Sequence, residues 1–378
     1  MPGLVLSTTL DRERRDIDVS SRIALLEPDA TPLTVVTMRA RKEAARTAEV
    51  VWFDDAMGAR WTAINNVAGY LAGDTALVVD DETVFEVNDV IKVTRTNELL
   101  RVTAVTTATH TITVTRAFGT TAAAALIDND WLLNIGNANK EASTTPNLRS
   151  GQPVKKTNFC QIFRTPFGVS GTQDAEKLKV GEPERERLSK KYAVQHRVDI
   201  ESALLFGEPK ETVGTDVIRS MGGVFYYVTS NVYDVGGLLT DRVLETNIAE
   251  MAFAKGSKRK LALCSALVLS AINRFAVGRL QTVPRQEVFG LKLQEYVTAH
   301  GTLLLAKSDL LVNGYGGHMV ILDVVEADNI KLRPLRDSTL KKNVQAPGYD
   351  GYTDEYFSEV SSEIRLEKTH TIVKGATG

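Results

Sequence analysis

The stretch NFCQIFRTPFGVSGTQ, residues 158–173, sets Phe159, Gln161, Phe163, Thr165 and Phe167 on one side of an extended chain and Cys160, Ile162 and Arg164 on the other. Successive side chains of a strand point to opposite faces, so phenylalanines at every second position mark a strand with one buried face. The glycines of GVSG, Gly168 and Gly171, then permit a turn around Ser170. The same four residues approach a nucleophile elbow, whose fifth position must be glycine but here is Thr172. Whether this segment is a structural strand or an active site decides how the rest of the chain is read.

The chemistry favours the strand. An elbow needs a helix directly after the serine, yet helical patterning starts only near Glu182, although His196, His300, His318 and His370 all follow. Cys160 lies within the alternating strand, where a free cysteine acts as a small hydrophobe, and only tertiary accident would bring Arg164 or His196 to it as a cationic neighbour. Cys264, in LALCSAL, reads as core. The five histidines have neither metal-ligand spacing nor cysteines at ligand distance, so no metal and no cofactor is expected. VVDDE (Asp80, Asp81, Glu82) and DND (Asp128, Asn129, Asp130) lack the full alternating calcium loop and read as hairpin turns. The glycines of AKGSKRK and NGYGGH miss both phosphate-loop spacings. Lys255, Lys258, Arg259 and Lys260 are expected in a solvated loop rather than on nucleic acid. No catalytic residue emerges, and the chain is not read as an enzyme.

The totals agree. The 378 residues are 43% hydrophobic and 24% charged, with a net charge of −2 and a pI near 6.3. That is ordinary globular composition without an electrostatic footprint for nucleic acid or a membrane surface. Two cysteines make no disulfide framework, which fits a reducing compartment. No stretch approaches the roughly 18 apolar residues of a membrane span, and the short apolar run near the start has no basic region before it, so an unsecreted chain is expected.

Working outward from 158–173, the chain divides by pattern. Residues 1–32 are polar and mixed in charge and bury little alone. VVWF, ended by Asp54 and Asp55, reads as a strand into a turn. Over 67–135 come TALVVDD, DVIKVTR, ELLRVTAV, TITVTRAF and WLLNI, five short strands that predict a small closed or nearly closed β-barrel inserted in the chain. Trp131, the only tryptophan of that span, falls in an apolar strand and is expected in its core; a carbohydrate-binding module would instead need an exposed aromatic platform. A helix follows from about 183 to 206, with Pro183 suited to its first position and Gly207 to its end. Val194, Val198 and Leu205 form one apolar stripe of this helix and Ala193, Ile200 and Leu204 another, so it is covered from two sides. DRVLETNIAEMAFAKG reads as helix, and RKLALCSALVLSAINRFAV as a strand passing into a helix. EYFSEVSSEIRLEKTHTIV alternates over 355–373 with Tyr356, Val360, Ile364, Leu366 and Ile372 on one face, which predicts a strand of roughly 50 Å or more. A helix covered twice and a strand that long expect neighbouring chains.

Three stretches carry a family resemblance: PDATPLTVVTMRARKEAARTAEVVWFDDA (28–56), TNFCQIFRTPFGVSGTQ (157–173) and ERERLSKKYAVQHRVDIESALLFGE (184–208). In their order they resemble the major capsid proteins of tailed bacteriophages with the Hong Kong 97 fold, in the subgroup with an inserted β domain. NDVIKVTRTNELLRVTAV and TITVTRAFGTTAAA are similar to small barrels inserted in phage structural proteins.

The resemblance implies an α+β capsid fold made of an N-terminal arm (1–32), an extended loop with the start of the peripheral domain (33–66 and 136–181), the inserted barrel (67–135), a spine helix (182–219), an axial domain (220–340) and a peripheral return strand (341–378). It implies a major capsid protein that self-assembles from many copies, as pentamers and hexamers, into the icosahedral shell around a double-stranded DNA genome held without sequence-specific binding. The localisation expected is the virion capsid, assembled in the host cytoplasm. Partners would be a portal protein, in some cases a decoration protein, and a separate scaffolding protein, the last because no long segment precedes the arm. Inter-subunit contacts are expected at Arg12, Arg14 and Arg15 of the arm, at Phe163, Arg164 and Phe167, and at Glu184, Arg185 and Arg187, with Arg164 pairing across a subunit contact. An encapsulin-like compartment shell would share these features, and a hydrolase built on Ser170 or Cys160 is the alternative of another class.

Overall fold

Helix α1, Pro32–Arg39, opens the described part of the chain in a computed structural model that describes residues 32–39, 43–142, 152–176, 182–212, 214, 216–279, 283–288, 291–327 and 329–377. A first-position proline suits a helix start, where its missing N–H is no loss. The expected arm, with Arg12, Arg14 and Arg15, lies outside the described residues up to residue 31. Strand β1, Glu49–Asp54, turns Val50 and Trp52 inward. Two compact units then separate, Asp55–Val154 and the chain on either side of it.

The first of these units is a six-stranded antiparallel sheet. It contains β2 (Trp61–Ala63), β3 (Ala76–Val78), β4 (Asp89–Val93), β5 (Leu99–Thr106), β6 (Thr111–Thr115) and β7 (Trp131–Asn137), in the order β2-β7-β4-β5-β6-β3. Ile64 and Val79, just past the two edge strands, form a bridge that joins one edge to the other. Leu77, Ile91, Val93, Leu100, Val102, Ile112 and Leu132 are buried inside. The fully buried carboxylate of Glu98 accepts two hydrogen bonds of 2.8 Å from Arg116 and two more from the backbone N–H groups of Ala117 and Ala124. Burial alone would raise its pKa, but these four donors outweigh burial and hold it below the usual carboxylate range. The unit is wider than the span 67–135. Trp61–Ala63 pairs with Trp131–Leu133, so residues placed in the extended-loop flanks belong to the sheet; a three-residue strand is too short to announce itself by alternation.

In the other unit, β8 (Val154–Phe159) pairs with β1. The expected continuous strand breaks at buried Cys160, whose N–H donates to Ala48 O at 2.7 Å. Beyond it run β9 (Gln161–Ser170), α2 (Gly171–Ala175), α3 (Glu184–Phe206), β10 (Lys210–Glu211), β11 (Arg219–Ser220) and α4 (Val224–Tyr227). Pro183 takes the N-cap position of α3, one before the first helical residue, and Gly207 the C-cap. Next come β12 (Val232–Leu238), then α5 (Asp241–Val243) running through a π-helical turn, Leu244–Ala249, into α6 (Glu250–Phe253). After these lie β13 (Arg259–Cys264), α7 (Ala266–Arg279), β14 (Val283–Val288), β15 (Leu291–Val297), β16 (Thr302–Lys307), β17 (Met319–Leu322), β18 (Ile330–Lys341), β19 (Gly351–Ile364) and β20 (Thr371–Thr377).

These strands make a three-stranded antiparallel sheet, β18-β19-β9, and a mixed seven-stranded sheet, β12-β20-β17-β13-β16-β15-β14. The long strand expected over 355–373 is two strands in two sheets. β19 ends at Ile364, Leu366 takes a left-handed φ of 50°, a 3-10 turn follows at Glu367–Thr369, and β20 joins the larger sheet. The domain borders shift with it, since β18 lies in the sheet of β9 and not with 220–329, while β20 leaves the return strand. Lys260, expected in solvent, is fully buried. Its ammonium donates to the carbonyls of Ala252 (2.6 Å), Lys255 (2.7 Å) and Thr369 (2.6 Å), tying α6 and the turn before β20 to β13. Burial lowers its pKa to about 8.

Since β1 and β8 pair at the entry and exit of the Asp55–Val154 unit, replacing 55–154 by a short glycine-serine linker should preserve a cooperative thermal transition within about 5 °C of that of the full chain. A variant without a cooperative transition by circular dichroism would show that the remainder does not fold alone.

Candidate assembly surface

Strand β19 is central in its sheet and unusually acidic. Its alternation sends Asp354, Tyr356, Ser358 and Val360 to the face of α3 and Glu355, Phe357, Glu359 and Glu363 to the other. All four carboxylates are buried, and each meets an arginine from a neighbouring element. Arg185 of α3 grips Asp354 with bonds of 2.7 and 2.6 Å. Arg164 of β9 holds Glu355 through both carboxylate oxygens, Arg336 of β18 holds Glu359, and Arg333 and Arg365 share Glu363. The Arg185 and Arg164 hydrogen bonds, as the largest influence, depress the pKa of Asp354 and of Glu355. Phe357 is covered by Arg336 and Lys341, with the guanidinium 4.3 Å and the ammonium 3.9 Å from its ring centroid.

On the α3 side, His196 is buried between Thr165 Oγ1 (2.8 Å from Nδ1) and Ser358 Oγ (2.6 Å from Nε2), and burial lowers its pKa. Phe163 is core. Phe167 stacks between Tyr192 and Tyr356. One helical turn along, the carboxylate of Glu201 accepts from the backbone N–H groups of Leu33 (3.2 Å) and Thr34 (2.9 Å), seating the first turn of α1 on α3. Negative charge at a helix N-terminus is favourable, yet burial dominates and raises the pKa of Glu201 to about 7.

Apart from Arg12, Arg14 and Arg15, which lie outside the described residues, the residues expected at subunit contacts have partners inside the chain. Phe163 and Phe167 are buried, Arg164 pairs with Glu355, Glu184 with Arg187 across one turn, and Arg185 with Asp354 and Asn343. The expected Arg164 pairing with a neighbour meets an internal partner because antiparallel register sets it diagonally beside Glu355. What reading the sequence missed is apolar. Ile162 and Val217 are each 50% exposed and Ile218 is 68% exposed, around a cavity of about 220 Å³ that Cys160 and Arg219 also line. Contiguous exposed apolar surface marks an interaction site, and the VI pair of 217–218 in an otherwise polar loop was the available signal.

The candidate nucleophiles have other duties. A helix does follow Ser170 at once, as α2, but the serine oxygen accepts from Gln173 N at 3.3 Å as its N-cap. Burial pushes the Cys160 thiol up to about 11 and that of Cys264 up to about 12, far from a thiolate at neutral pH. Among the turn carboxylates, Asp130 pairs with Arg95 at 2.7 Å and Asp128 accepts from Asn66 N at 2.9 Å.

Among solved structures, the capsid of a native GTA particle matches 100% of this chain and 100% of its own at a TM-score of 0.51 and 11% identity, and that of an empty GTA particle matches 99% and 98% at 0.51 and 9%. At such identities the likeness establishes fold alone: an α+β fold of the Hong Kong 97 type. The major capsid protein of Pseudomonas phage PaMx41 is 25% identical over 230 residues, covering 56% of this chain and 54% of the phage protein, so the alignment spans about half the length of that curated relative. The family model for the SU10 major capsid protein matches residues 5–377. The chain belongs to that family.

The Glu201 seat titrates with a defined sign. Its folded pKa of about 7 stands above the ordinary 4.5 of a glutamate, so the folded state binds the extra proton between those values and stability from this group falls as pH rises from 4.5 to 7. The loss is on the order of 3 kcal/mol. His370, whose pKa burial lowers to about 4, acts in the opposite sense below pH 6.5, so the variant comparison is the informative one. Glu201→Gln should flatten the fall in urea midpoint between pH 5 and 7.5 relative to the parent chain; an identical fall in both would refute the assignment.

Proposed function

We propose that many copies of this chain, as pentamers and hexamers, build the icosahedral shell of a phage head around double-stranded DNA. On this reading the seven-stranded sheet is the axial domain and α3 with β9, β18 and β19 the peripheral domain. The 1–31 arm leaves from the seat of α1 on Glu201. Assembly takes place in the host cytoplasm with a separate scaffolding protein and a portal protein, and the inserted domain, which we take as a small barrel, is where a decoration protein would dock. The chain acts by assembly and not by catalysis. The observation that carries the proposal is the exposed apolar trio of Ile162 on β9 with Val217 and Ile218 in the loop before β11, lining one cavity. Internal pairing leaves the charges with little to offer a neighbour, whereas buried aliphatic surface contributes about 25 cal/mol per Å². A closed shell repeats every contact many times, so weak contacts suffice.

Light scattering and electron micrographs of the chain, alone and with its scaffolding protein, should give closed particles of regular size. A chain that stays monomeric under both conditions would defeat the proposal, and shells that enclose protein cargo rather than DNA would make it a compartment. Ile218→Asp should lower particle yield at least tenfold, since about 1.4 kcal/mol at one contact is already tenfold, while leaving the subunit melting temperature within about 2 °C. Removing residues 2–25 should also stop assembly; intact shells from that truncation would remove the arm from the mechanism.

A further inference from the structure

The Asp55–Val154 unit presents two tryptophans to solvent. Trp61 is 49% and Trp131 is 56% exposed, against the expectation that Trp131 would be core. Their placement follows from register. Trp61 pairs with Leu133 and Ala63 with Trp131, so the two indoles stand at diagonal positions on one face of the β2–β7 pair. Diagonal neighbours lie about 7–8 Å apart, within reach of aromatic side chains. Half-exposed large aromatics on a sheet face leave apolar surface whose cost in water is unrelieved within the unit.

The same strand leads from this platform into a polar cleft. Pairing of β4 with β7 steps from Val90–Gly136 to Ile91–Asn134, so Ile135 is an unpaired bulge residue, and bulges redirect side chains beside functional sites. Ile135 is exposed and lines a cleft of about 800 Å³ whose wall also includes Arg60, the neighbour of Trp61 in sequence. One side of the cleft is stiff: Asn134 Nδ2 donates to Val84 O (2.9 Å) and Asp89 Oδ2 (2.8 Å), and Asp89 also accepts from Glu86 N (2.9 Å). The lining carries Asp55, Glu86 and Asp89 against Arg60, three acids to one base. Hydroxyl donors suit it and anions do not.

We propose that this face binds a neutral oligosaccharide, one sugar ring lying on the Trp61–Trp131 platform and its neighbour's hydroxyls donating into the carboxylate-lined cleft. Flat aromatics beside a few fixed polar groups are the usual make-up of a ligand site, and the core of a protein–protein interface is depleted of such charges. The acidic lining selects against uronic and sialic acids by repulsion.

Tryptophan emission reads the site directly, because the chain's third tryptophan, Trp52, is 3% exposed and lies in the other unit. The full-length chain, as free subunits and as shells, is titrated with maltoheptaose, chitotetraose, cellopentaose and polygalacturonate. The proposal expects a saturable blue shift with at least one of the three neutral probes and none with polygalacturonate. Trp61→Ala and Trp131→Ala should each weaken the response at least tenfold, and Trp131→Phe should retain most of it. Three results overturn the proposal: no saturable response to any neutral probe in either form, a response that survives both alanine variants, or shells in which acrylamide no longer reaches the two indoles that it quenches in free subunits. The last would make this face a contact between copies. Both alanine changes fall at half-exposed positions, and an unchanged melting temperature confirms that a lost response is not lost folding.

Discussion

Buried carboxylates in the middle of a sheet are tolerable only when each is paired and hydrogen-bonded, and β19 carries four of them. The pairing is what joins the pieces: Arg185 comes from α3, Arg164 from β9, Arg333 and Arg336 from β18. Removing Arg185, Arg164 or Arg336 would leave a buried carboxylate without its cation, so the arrangement acts mainly against wrong registers. A slip of one residue would turn Glu355, Glu359 and Glu363 toward the His196 and Tyr356 side, where no arginine ladder waits. Register here is therefore fixed by charge as well as by apolar alternation.

With that sheet fixed, α3 has a defined bed, and α3 in turn positions both the buried His196 and the Glu201 carboxylate that receives α1. A shell protein needs a body that keeps its shape and extensions that leave it at defined points. The internal ion pairs of β19 supply such a body, and two backbone hydrogen bonds to Glu201 hold the start of α1 on α3. The seven-stranded sheet is anchored separately, by the Lys260 ammonium among three carbonyls. Its nearest helical connection includes the π-helical turn Leu244–Ala249, a form that often accompanies functional sites.

The Asp55–Val154 unit follows another logic. It has its own apolar core, its edges are bridged by Ile64 and Val79, and its fully buried Glu98 is paired with Arg116. An edge bridged in this way is less available for pairing with a neighbour's strand. The unit's outward face is free to carry side chains that the fold itself does not use, and the tryptophans are there.

Local pattern alone determined much of this protein. The phenylalanine alternation of β9, the span of α3 between Pro183 and Gly207, and the succession of short strands after Thr75 are all legible in one dimension, because strand and helix periods are properties of the backbone. The order of those elements also sufficed for the family resemblance. Only tertiary structure decided the rest. Whether an alternating run is one strand or two depended on Leu366 adopting a left-handed turn, and alternation looks the same on either side of such a break. Whether an arginine faces a neighbour or its own chain depended on antiparallel register, which brings Arg164 to Glu355 across 191 positions. Whether Trp131 is core or surface depended on which face of β7 met the apolar interior. Those are facts about residues distant in sequence, and a sequence period carries no information on which distant partner will cover which face.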